Sequence, residues 1–186
     1  MKLSLFTVSL LLTGSLYASQ MHMSATQEGM HAIKLLGKTL KTQLKEKLQL
    51  DTNAAEAITF CSTQAQAITQ QVNDTLPSHV KVRRTSLDLR NPANHADETD
   101  ISIMNKYKTA IKKQSSAAMM PTRVIVGETT RIYKPLLVGA VCLKCHGKNV
   151  SEAVNSTVQV TYPTDKAMGM LLGDFRGVMV AEIEQH

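Results

Sequence analysis

Apolar positions recur at spacings of three and four through the first part of the chain, and at spacings of two after it. Across residues 26–48, Ile33, Leu36, Leu40, Leu44 and Leu48 fall on one face of a helix. Lys34, Lys38, Lys41 and Lys45 form a separate stripe, roughly 100° round the same helix. Asp51-Thr52-Asn53 interrupts it, and Asn53 with Glu56 has the form of a capping box opening a second helix. There Ile58, Cys61, Ala65, Ile68 and Val72 share a stripe, so Cys61 points inward. Beyond Pro77, β-branched and alternating runs predict strands over residues 80–87, 123–126, 129–138, 157–162 and 177–183. Gly127-Glu128 suits a tight hairpin between the second and third of these. The long connection 90–121 opens with a turn at Asn91-Pro92-Ala93-Asn94 and contains a helix over 101–113. A short helix over 165–172 closes at Gly173. Two long helices followed by five mostly antiparallel strands make one α+β domain over residues 26–186, without internal repeats.

Residues 1–18 change where that domain is expected to work. Lys2, the apolar run 3–12 and Leu16-Tyr17-Ala18 have the form of a secretory signal peptide, and 19–25 read as a short flexible leader. An exported chain of this kind is periplasmic. Cleaved, it is not an integral membrane protein; uncleaved, the same segment would serve as an anchor. The formal charge of +6 and the pI near 9.3 then point away from nucleic acid, which an exported protein does not meet. They leave an acidic partner or an anionic membrane surface open. The chain has no Trp and 4% aromatic residues, so a flat apolar cofactor could supply much of its core's bulk.

The strongest chemistry is Cys142-Leu143-Lys144-Cys145-His146. C-x-x-C-H is the attachment sequence of c-type haem: two thiols one helical turn apart reach the porphyrin vinyl groups, and the following His146 is held beneath the iron as proximal ligand. The alternatives are a thioredoxin-like C-x-x-C, half of a zinc site, or chance. With Cys142 and Cys145 as thioethers, the third cysteine, Cys61, has no disulfide partner in the chain. On the residues alone it is an inert core thiol or a distal iron ligand, in competition with Met119, Met120, Met168, Met170, His79 and His95.

Further residues give a resemblance. They are Ala57-Ile58-x-x-Cys61, Arg84-Thr85-Ser86, Arg90-Asn91-Pro92-Ala93-Asn94, Lys134-Pro135, the haem motif with Gly147, Tyr162-Pro163-x-Asp165-x-Ala167-x-Gly169 and Gly173-Asp174-x-Arg176-Gly177. In this order the chain resembles a bacterial family of single-haem c-type proteins with a PAS-like sensor fold. The resemblance implies a five-stranded antiparallel sheet flanked by helices, one covalent haem c, and an axial pair of His146 and Cys61. Phe60 departs from the small aliphatic residue usual before that cysteine, though its ring could still pack against the porphyrin edge.

A thiolate ligand favours ferric iron, and its release on reduction opens the sixth position to CO or NO. The expected function is therefore a redox or diatomic-gas sensing module acting through a separate signalling protein. The alternative is a small electron-transfer cytochrome c that docks a redox partner through the lysine stripe. Arg84, Arg90 and Arg176 are candidates to pair with haem propionates. No enzyme is expected, since neither His79 nor His95 stands at a spacing that suggests a distal acid–base group.

Overall fold

A computed structural model describes residues 23–50 and 55–184. Helix α1 (Ala25–Leu50) starts at a reciprocal cap: Ser24 Oγ accepts from the Gln27 N–H, and Gln27 Oε1 accepts from the Ser24 N–H at 2.8 Å. Ala25 thus belongs to the helix rather than to the leader. Helices α2 (Ala55–Thr63) and α3 (Ala65–Thr75) replace the single second helix expected, with the break at Gln64. Strand β1 (Val80–Thr85) follows, then helix α4 (Glu98–Lys112), strands β2 (Thr122–Val126) and β3 (Thr129–Leu137), the single turn α5 (Leu143–His146), helix α6 (Glu152–Thr161) and strand β4 (Phe175–Glu184). The expected signal peptide over residues 1–18, residues 19–22 of the expected leader, and Asn53 with its expected capping box lie outside the described residues.

The described strands form one antiparallel sheet in the order β1-β4-β3-β2. It has four strands, not five. Residues 157–162 alternate β-branched and polar side chains, yet they lie almost wholly within α6. Ser151 caps that helix by accepting from the Val154 N–H, and Val154 and Val158, four apart, are both buried while Val160 is 84% exposed. Burial on a helical period outweighs local strand propensity here.

Residues 165–172 are not helical either, because their backbone bonds go elsewhere. Lys166 N–H reaches Leu89 O, Gly169 N–H reaches Gly147 O and Met170 N–H reaches His146 O. Helix α4 begins three residues before the expected 101, at a full capping box between Asp97 and Asp100. The hairpin at Gly127 is as expected, with φ of +58° there.

Helix α1 lies across one face of the sheet, where Ile33 and Leu36 join Val80, Val82, Ile132, Ala181 and Ile183 in the main core. A side chain at Gly29 would come within 2.6 Å of Ile132, so the close approach of helix and sheet depends on glycine there. Helix α4 covers the opposite face through Ile103, Met104 and Tyr107 against Tyr133, Val178 and Val180. The C-terminal half of α1 runs on to meet α2, and α6 packs on α2 through Ile58, Val154 and Val158. No helix among the described residues is long and apolar enough to cross a membrane.

Candidate functional site

Cys142 immediately precedes α5, and Cys145 and His146 complete that turn, so both thiols and the imidazole are carried on one short rigid element. The Gly139 N–H donates to Cys142 Sγ at 3.3 Å. The turn ends at Gly147, whose N–H bonds Leu143 O at 3.1 Å; a Cβ there would lie 2.5 Å from the same oxygen. The 165–172 segment straps the turn from outside through the bonds to His146 O and Gly147 O.

His146 Nδ1 lies 2.7 Å from the carbonyl oxygen of Ala167. A carbonyl only accepts, so Nδ1 carries the proton and Nε2 keeps its lone pair. Burial, with the positive charges of Arg176 and Arg90, lowers the His146 pKa to about 3, so the ring is neutral at physiological pH. This is the tautomer a metal-binding imidazole requires.

Cys142, Cys145, His146 and Cys61 all line one cavity, with about 850 Å³ of empty space counted out to its mouth. Cys61 comes from α2, half-buried against the main core; its stripe faces the cavity as well as the core. Leu44 and Leu48 of α1, Ile58 of α2 and Val141 give apolar walls, and Tyr162 stands at the end of α6. Among the competing donors, none lines it. Met119 and Met120 are exposed, Met168 Sδ accepts from Arg90 Nη2 at 3.0 Å, and Met170 packs with Val138 and Ala167. His79 pairs with Glu28, and His95 is exposed on a neighbouring pocket. Phe60 does not line the cavity: it is buried in the main core, so its ring does not take the place at a porphyrin edge that the sequence left open to it.

Three guanidinium groups, Arg84, Arg90 and Arg176, also line the cavity. Burial pushes the Cys61 thiol up, and these three arginines pull it back only in part. Burial likewise raises the Cys145 thiol and lowers Arg84. It lowers Arg176 to about 10, with Arg90 and Arg84 adding repulsion. The cavity is therefore apolar, positively charged at one part of its wall, and furnished with two thiols one turn apart. The imidazole comes from the same turn and a third thiol from α2. Sequence reasoning assigned no role to Tyr162, Asn91 or Asn94, although all three stand in the motif blocks; Leu44 and Leu48 were legible only as a core stripe.

A family model described as Tll0287-like matches residues 12–183. No curated protein matches the chain. The crystal structure of the cyanobacterial heme-protein Tll0287 is similar in fold, with a TM-score of 0.56 and 23% identity, covering 82% of this chain and 96% of that one.

Proposed function

The chain belongs to the Tll0287-like family, and on that premise we propose that it is a periplasmic c-type haem protein that senses redox state or a diatomic gas by ligand exchange at Cys61. In this reading Cys142 and Cys145 carry one haem through thioethers, His146 is the proximal ligand and Cys61 the distal one. The observation that carries it is the convergence of these four residues on a single cavity. The solved relative is itself described as a heme-protein, and the sheet flanked by helices is read as a PAS-like scaffold.

The residues present fit the group. Apolar walls, a neutral imidazole held by Ala167 O, and a buried Arg84 Nε without a hydrogen-bond partner are what a porphyrin with anionic substituents would complete. When bound, the haem supplies an iron centre able to exchange one electron and take up CO or NO. The chain's own residues set its behaviour. Cys61, as a thiolate, donates charge and favours the ferric state; as a thiol it is a poor ligand and lets go. Because Cys61 rides on α2, which packs on both α1 and α6, its release offers a two-state movement to a separate signalling protein. His79 and His95, the histidines that could have been nominated as a distal acid–base group, are not among the residues lining the cavity.

One feature favours the second reading, a small electron-transfer cytochrome c. Lys34, Lys38, Lys41 and Lys45 are all exposed on α1, the helix whose Leu44 and Leu48 line the cavity. Low-temperature EPR of the ferric protein beside Cys61→Ser tests the ligation. A low-spin thiolate signature present in the first and absent in the second supports the sensor reading, and identical spectra remove Cys61 from it.

A further inference from the structure

We propose that Arg84 and Arg176 are the carboxylate-binding residues of this cavity, each holding one haem propionate, while Arg90 is committed to the protein. This rests on the haem reading above and adds the orientation of the porphyrin within the site.

The three arginines differ in what they already hold. Arg90 and Asp165 are 8% and 6% exposed and form an ion pair at 3.2 Å, with Arg90 Nη2 also donating to Cys145 O at 2.7 Å. Its charge is compensated, and it braces the α5 turn. Among the described residues, no carboxylate lies within ion-pair distance of Arg84 or Arg176. Arg84 Nε is buried without any hydrogen-bond partner. Arg176 uses Nη1 on Ser86 Oγ at 2.9 Å and Asp88 O at 3.1 Å, both uncharged acceptors. Both guanidinium groups are half-buried with no direct ion-pair partner, the Arg84 Nε atom is fully enclosed, and Arg176 feels Asp165 and Asp88 only through space; a ligand carboxylate would complete both.

The backbone shows how both are aimed at the cavity. Arg84 pairs with Met179 on the sheet face that α1 covers, whereas Arg83 points to the α4 side and binds Asp100. Arg176 stands two residues before Val178, which packs against α4, so strict alternation would turn it away from Arg84. The register slips there: Leu136 pairs with Gly177 and Leu137 with Phe175, leaving Arg176 unopposed in a bulge. Gly177 follows at φ of +150°, within 2.4 Å of Thr85 O were a Cβ present. A bulge of this kind re-aims one side chain, and here the re-aimed residue lines the cavity. A guanidinium fork matches a carboxylate bidentately, and a porphyrin offers two.

The test uses the mature haem-loaded protein with Arg84→Gln and Arg176→Gln, and Lys106→Gln, exposed on α4 across the sheet, as a control. Covalent haem is scored first by pyridine haemochrome. Each arginine variant is then expected to shift the propionate bending mode in resonance Raman and to lower the midpoint potential, because losing a positive charge disfavours the reduced, more negative centre. The control should move neither. Should Arg176→Gln fail to mature, Arg176→Lys keeps the charge and loses the fork, and must still shift the Raman mode. Loaded variants with wild-type Raman modes and potentials overturn the assignment and leave the haem reading standing. A wild-type protein without covalent haem overturns both, visible before any variant is compared.

Discussion

His146 and Ala167 are joined by a 2.7 Å bond from ring Nδ1 to backbone carbonyl, and two more backbone bonds tie the same strap to His146 and Gly147. The strap thus fixes the tautomer, tilt and position of the imidazole together, as outer partners of metal-binding histidines generally do. It also explains why residues 165–172 are irregular: a helix there would spend on itself the N–H groups that hold α5.

Gly147 is where this arrangement is most sensitive. In Gly147→Ala, the added methyl meets Leu143 O at 2.5 Å, so the α5 turn must open or shift. Overpacking of this kind costs about 1–3 kcal/mol. A lowered yield of covalently loaded protein and a lower Tm of what is loaded are the expected outcomes, read by haemochrome and thermal melts.

Under the proposed ligation, the donor at position 61 would set the redox and gas-binding behaviour. Exchanging the anionic thiolate for a neutral thioether in Cys61→Met should raise the midpoint potential by something on the order of 0.1 V, within the roughly 0.8 V that axial ligands command. The wild-type ferrous protein is expected to bind CO with loss of thiolate ligation. A wild-type protein that keeps both ligands on reduction and excludes CO would favour the electron carrier.

Stability on the other face of the sheet depends on Asp100, which is fully buried and accepts from both terminal nitrogens of Arg83 and from Tyr133. Asp100→Ala leaves the buried Tyr133 hydroxyl without this acceptor and Arg83 with Glu182 as its remaining carboxylate, a loss of about 1–3 kcal/mol. Asp97, the cap of α4, behaves differently. Burial raises its pKa, but the Asp100 N–H and Arg131 outweigh that and hold it below the ordinary value. A depressed folded pKa stabilises above the unfolded value of about 3.9 and is lost as pH falls through the folded one. Asp97→Asn, which keeps a capping oxygen, should therefore flatten the acid limb of stability below about pH 4. Asp97→Ala should also cost about 1 kcal/mol at neutral pH. Urea titrations across pH measure both.

Much of this was legible in the chain. The apolar stripe of α1, four strands and the hairpin at Gly127 follow from period and turn chemistry, and Cys142, Cys145 and His146 announce themselves by spacing. Residues 157–162 misled because β-branched alternation and a Val154/Val158 helical face coexist in one stretch, and only tertiary burial chooses between them. The break at Gln64 carries no glycine or proline to mark it. Cys61 was legible as inward-facing, but periodicity does not distinguish a core from a cavity. The bulge at Arg176 depends on pairing with β3, which no local pattern encodes.

Intact mass of the mature protein, produced with a functioning c-type haem maturation system and denatured in acid, tests the central claim most directly. The account predicts a polypeptide heavier by one protohaem that resists acid extraction, with the added mass lost from a Cys142→Ala, Cys145→Ala double variant. A wild-type mass equal to the bare polypeptide would contradict it.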